Sequence, residues 1–138
     1  MSIETPGNTQ AMRRTGWLLS GMVIAFMIVD AGGTLLAIEP LKRATLETGY
    51  PLDLMPLIGA LALICLVLYA IPATCVVGAI ILKGFLGGAI TSHLRVAGTL
   101  TPEMIVSLIL GVLTWGGLWL RDPRLRVLIP RRRNGFDD

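Results

Sequence analysis

Asp30 and Lys83 stand inside long apolar runs, where an ionised side chain is costly and calls for a partner or a task. Asp30 lies about thirteen residues into the first run and Lys83 about nine into the third, so at about 1.5 Å per residue they sit roughly 20 and 14 Å from the same edge. A lysine side chain spans that difference. The economical expectation is an ion pair that fixes helix register; proton handling or the anchoring of a polar headgroup is a second reading, and independent snorkelling of Lys83 a third. A second group gathers at the far ends of the runs: Thr91, His93 and Arg95 close the third, Glu103 opens the fourth, and Glu39 and Glu47 lie in the first loop. Together they can form a polar mouth, in which a histidine beside carboxylates relays protons near neutral pH and an arginine holds an anionic or carbonyl-bearing ligand. The plainer alternative makes them helix-end residues, with Arg95 binding the terminal carbonyls of its own helix.

The elements that must position these groups are membrane spans. A chain of 138 residues with 54% hydrophobic and only 15% charged residues is too apolar for an ordinary soluble domain. One histidine and two distant cysteines supply neither a zinc cage nor a disulfide framework, and no metal site is expected. The net charge of +3 is not organised into a basic stripe interleaved with aromatics, so nucleic acid is not an expected partner. Four apolar segments, about residues 16–38, 54–71, 74–92 and 102–120, match the roughly 20 residues needed to cross a bilayer. The expected fold is all-α: a membrane four-helix bundle running up-down-up-down. Residues 1–15 read as a disordered tail, 16–121 as the bundle and 122–138 as a basic tail. Arg13-Arg14 before an apolar stretch also suits a signal peptide or, loosely, a twin-arginine signal, yet no clean small-residue cleavage site stands out and three further spans follow.

Between the second and third spans, Ala70-Ile71-Pro72-Ala73 forms the turn of an antiparallel hairpin. Glu39-Pro40 can start, and Gly49 can stop, a short helix over residues 41–48. Thr101 can cap the fourth span with Pro102 in its first position, and Asp122-Pro123 repeats that pattern before Leu125, Val127, Leu128 and Ile129, which can dip into the interface. Eight Lys and Arg residues flank the spans on the side of the termini and three, Lys42, Arg43 and Arg95, on the other, so both termini are expected in the cytoplasm. Gly84 and Gly88, continued by Ser92, form a small-residue row that invites close helix contact within the bundle or in a homodimer. Trp17, Trp115 and Trp119 read as interfacial belts. Cys65 and Cys75 form no Cys-x-x-Cys pair, which speaks against thiol–disulfide catalysis.

The stretch from Gly78 to Val96, with Gly87-Gly88 leading into Thr91, His93 and Arg95, is followed by Leu110 to Leu125 with Trp115-Gly116-Gly117 and Arg121-Asp122-Pro123. With Asp30 and the Gly49-Tyr50-Pro51 turn, this pattern over about residues 16–129 resembles the DoxX-like family of small four-helix membrane proteins. Many relatives are basic four positions after the aspartate, where this chain has Thr34. The resemblance implies an inner-membrane protein and an accessory role, since the family takes its name from a small membrane subunit associated with quinone-linked thiosulfate oxidation. The leading reading is therefore an accessory subunit or scaffold of a membrane-associated oxidoreductase system. A quinone or lipid would bind near Asp30, Lys83, Thr91, His93, Arg95 and Glu103, with the bilayer and a redox protein as partners. The rival reading is an enzyme or carrier in its own right, using Asp30, Lys83, His93 and Arg95.

Overall fold

The computed structural model describes residues 6–128. Six α-helices follow in order: α1 (Pro6–Leu35), α2 (Glu39–Glu47), α3 (Met55–Ala70), α4 (Cys75–Ala97), α5 (Pro102–Arg121) and α6 (Pro123–Leu128), with a 3-10 turn at Leu52–Leu54. Four of them, α1, α3, α4 and α5, are long and apolar enough to cross a membrane. Leu18, Val29, Ile64, Val77, Leu108 and Val112 all turn outward, each more than half exposed. Apolar surface on every outer face would be a liability in water and is the requirement in lipid.

The four spans form a square. α1 packs on α3 and α5, and α4 packs on the same two helices, so α1 and α4 occupy opposite corners. Val23, Met27 and Ala31 of α1 meet Ala62, Cys65, Leu66 and Tyr69 of α3, Ala79, Leu82 and Leu86 of α4, and Leu110 and Leu118 of α5. Ser20, Tyr69 and Thr114 satisfy one another in this interior. The Tyr69 hydroxyl donates to the Thr114 carbonyl at 3.0 Å and, its one proton being used there, accepts from Ser20 Oγ at 3.0 Å. Thr114 Oγ1 donates back to Leu110 O at 2.7 Å, so α1, α3 and α5 are tied by one buried chain of hydrogen bonds.

Close helix approach falls on glycines other than those expected. A methyl group at Gly117 would lie 2.8 Å from Ser20 Oγ, and one at Gly16 would lie 2.8 Å from the Leu120 carbonyl carbon, which makes α1 and α5 a near-contact pair. Gly78 lets α4 touch the backbone of Leu68 and Tyr69, and Gly59 admits Leu35. Gly84 and Gly88 have open space where a methyl would sit, so they are not the bundle's internal contact.

Several element ends depart from the sequence signals: α1 stops at Leu35 where 38 was expected, and α4 runs on to Ala97 where 92 was expected. Residues 6–15, expected to be a disordered tail, are helical: Pro6 stands at the first position and no breaker interrupts the run into Trp17. At 30 residues α1 is about 45 Å long, which exceeds a hydrocarbon core of about 30 Å and carries Arg13 and Arg14 beyond it. α2 spans Glu39–Glu47 as the Pro40 and Gly49 signals require, and Gly49 takes φ +78°. Thr101 holds the cap position of α5 through its backbone, whose carbonyl accepts from Met104 and Ile105 N–H, while its hydroxyl has no partner among the described residues. Asp122 caps α6 through its side chain, accepting Arg124 N–H at Oδ1. Leu125 is buried against the bundle, so α6 docks on protein through that residue while Val127 stays outside; Ile129 lies outside the described residues.

Candidate functional site

Where α1 ends and α4 approaches its last turns, α2 folds back over the bundle and roofs a cavity of about 460 Å³. Chain chemistry explains the roof. Ala37 occupies the left-handed region at φ +49° after α1, the place that usually falls to glycine, and Ile38 N–H returns to Gly33 O, which turns the chain sharply into α2. Thr45 and Thr48 then bond their own helix carbonyls and line the cavity from the roof. The floor is apolar, with Leu57, Ile58 and Leu61 of α3 and Phe85 and Ala89 of α4. Against it stand a carboxylate, Asp30 of α1, and an imidazole, His93 of α4, both half-buried.

Of the residues singled out by sequence, Asp30 and His93 line this cavity, and Lys83, Thr91, Arg95, Glu103, Glu39 and Glu47 do not. Lys83 and Asp30 form no ion pair: among the described residues the ion pair present is Lys42 with Glu39, at 3.1 Å. The reason is rotation about the helix axis: Leu82 and Leu86 take the inward face of α4 and leave Lys83 exposed on the outer one. Lys83 lies on the outer surface with its ammonium 5.9 Å from the centre of the Trp115 ring on α5. Thr91 is exposed and bonds Gly87 O. Arg95 reaches from α4 to the roof, where Nη2 donates to Thr48 O at 3.3 Å beside Gly49; it bridges two elements and does not cap its own helix. Glu103, on the first turn of α5, is exposed and outside the lining.

The structure adds Thr34, Thr45, Thr48, Tyr50 and Ser92 to the polar lining. Tyr50 is the informative one. Its hydroxyl lies 3.0 Å from Ser92 Oγ, and Ser92 Oγ in turn donates to Gly88 O, which leaves Tyr50 as donor to Ser92 and locks the loop after α2 onto α4. The Gly49-Tyr50-Pro51 turn carried the signal for it, but only the folded loop puts that ring against α4. Gly88 belongs to this same wall, where its missing side chain widens the cavity.

The chemistry available is that of a mostly apolar slot with several polar side chains in its wall. Asp30 accepts hydrogen bonds or exchanges a proton, His93 donates or accepts, and the walls suit a chain or ring of hydrocarbon. No group of three or more His, Cys, Asp or Glu among the described residues could hold a metal ion. Cys65 and Cys75 are buried and unbonded, with Cys75 Sγ directed to Pro72 O.

Comparison with curated proteins returns no match, and comparison with solved structures returns none. The DoxX-like family profile matches residues 18–117, which take in all four spans and both faces of the cavity. This multi-pass membrane protein belongs to the DoxX-like family.

Proposed function

We propose that the protein holds a lipid-soluble ligand with a hydrogen-bonding headgroup, of quinone or lipid type, and serves as an accessory subunit of a membrane oxidoreductase system. The observation that carries this reading is that Asp30 and His93 line the same mostly apolar cavity of about 460 Å³, within the roughly 300–1,000 Å³ of small-molecule sites. An imidazole and a carboxylate match the carbonyl and hydroxyl oxygens of such a headgroup, and Leu57, Ile58, Leu61 and Phe85 match its apolar body. The rival reading, an enzyme or carrier in its own right, asks for Lys83 and Arg95 in the same site. Lys83 stacks on Trp115 outside it and Arg95 is engaged by Thr48, which favours binding over catalysis.

The test is titration of a short-chain quinone into the purified protein in lipid nanodiscs, with Ala89→Phe filling the cavity and His93→Ala removing one polar contact. Ala89→Phe should weaken binding at least tenfold, and His93→Ala by roughly 3- to 10-fold, the worth of a hydrogen bond of about 0.5–1.5 kcal/mol. Equal affinity in wild type and Ala89→Phe, with thermal stability retained, would remove the cavity from the reading.

A further inference from the structure

At the opposite end of the bundle, where α1 begins, α3 turns into α4 and α5 ends, Arg13, Arg121 and Arg124 line a second cavity of about 360 Å³. Arg121 is unusual for a charged residue, being only 7% exposed. Its guanidinium is clamped between two aromatic rings, 4.8 Å from the centre of Trp17 and 4.9 Å from that of Tyr69. Nη2 donates to Tyr69 O at 2.9 Å, while the buried Nη1 has no hydrogen-bond partner among the described residues. A guanidinium stays charged at any physiological pH, so this is a permanent, oriented positive charge with donor capacity left over. The cavity's carboxylate, Asp122, is engaged at Oδ1 by the Arg124 backbone N–H and ion-pairs with none of the three arginines.

We infer that this cavity binds a phosphate group. Three guanidinium groups against one carboxylate select an anion, and Arg121, held against Trp17 and Tyr69, adds a fixed positive charge with an unpartnered N–H donor to the cavity wall. The site lies at the end of the spans, at headgroup depth, where the phosphate of an anionic lipid and a free phosphate from the aqueous side can both reach it. It is separate from the Asp30 and His93 cavity and stands whether or not that cavity takes a quinone.

The experiment uses the full chain, wild type and two variants: Arg13→Gln with Arg124→Gln, which touches exposed residues and leaves the interior alone, and Arg121→Lys, which keeps the charge and removes the fork. Native mass spectrometry from nanodiscs of phosphatidylcholine with phosphatidylglycerol reads lipid retention, and phosphorus NMR with inorganic phosphate reads the free anion. The expected result is one phosphatidylglycerol retained per chain, weakened roughly tenfold for each arginine removed, with phosphatidylcholine unaffected. Binding of inorganic phosphate with the same dependence on the arginines, and no lipid preference, supports the site with a soluble source. Binding of neither probe, or binding indifferent to all three arginines while the variants melt as wild type does, overturns the inference.

Discussion

Two glycines on α4, six residues apart, carry opposite expectations. A methyl group at Gly78 would run into the backbone of Leu68 and Tyr69 on α3, whereas one at Gly84 would meet nothing within 4 Å. Both substitutions to alanine gain the same helix-propensity benefit of roughly 0.5–1 kcal/mol, so that contribution cancels when the two variants are compared. What remains is the steric cost at Gly78. The atoms in the way are main chain and cannot swing aside, so α3 and α4 must separate; overpacking of this kind costs about 1–3 kcal/mol. At on the order of 3–5 °C per kcal/mol for a chain of this length, Gly78→Ala should melt roughly 3–15 °C below Gly84→Ala. Circular dichroism melting of both variants in one detergent reads the difference directly. Equal midpoints would refute the close α3/α4 approach. The same pair separates bundle packing from self-association: Gly84→Leu should leave the melting of the monomer unchanged, and a loss of dimer on native mass spectrometry would assign the Gly84 and Gly88 row to a homodimer contact.

Tyr69→Phe removes the hydroxyl that joins Ser20 to the Thr114 carbonyl and should cost about 1–3 kcal/mol by leaving buried polar groups unpaired, measured as a lowered denaturation midpoint; Ser20→Ala should cost less, because Tyr69 keeps its bond to Thr114. Asp30→Asn and Lys83→Met should have additive effects within about 0.5 kcal/mol, since the residues occupy diagonal helices and form no pair; a larger coupling in the double-mutant cycle would contradict that placement. Reporters fused to either terminus should both report the cytoplasm, as the distribution of basic residues requires, and activity of an export-dependent reporter at the C-terminus would reverse the orientation.

The elements were legible in the sequence because each is written in local chemistry. Span length follows from runs of apolar residues, the hairpin from Pro72 between two such runs, α2 from Pro40 and Gly49, and α6 from Asp122-Pro123; none of these requires knowledge of a neighbour. The start of α1 was not legible, because polar residues 6–15 contain nothing that forbids a helix once the span behind them supplies the nucleus. Asp30 and His93 announced themselves as polar residues where polarity is costly. Their setting did not. Which helices become neighbours depends on where side chains are small enough for backbones to meet, and that was decided at Gly16, Gly59, Gly78 and Gly117, not along the more conspicuous row of Gly84 and Gly88. From that square packing the rest followed. Depth along the helix axis made Asp30 and Lys83 look like partners, but depth is one coordinate and rotation about the bundle is another. The sequence supplies the first through the rise per residue, and only the packed helices supply the second, turning Lys83 out to Trp115, bringing Tyr50 onto Ser92, and burying Arg121 between Trp17 and Tyr69.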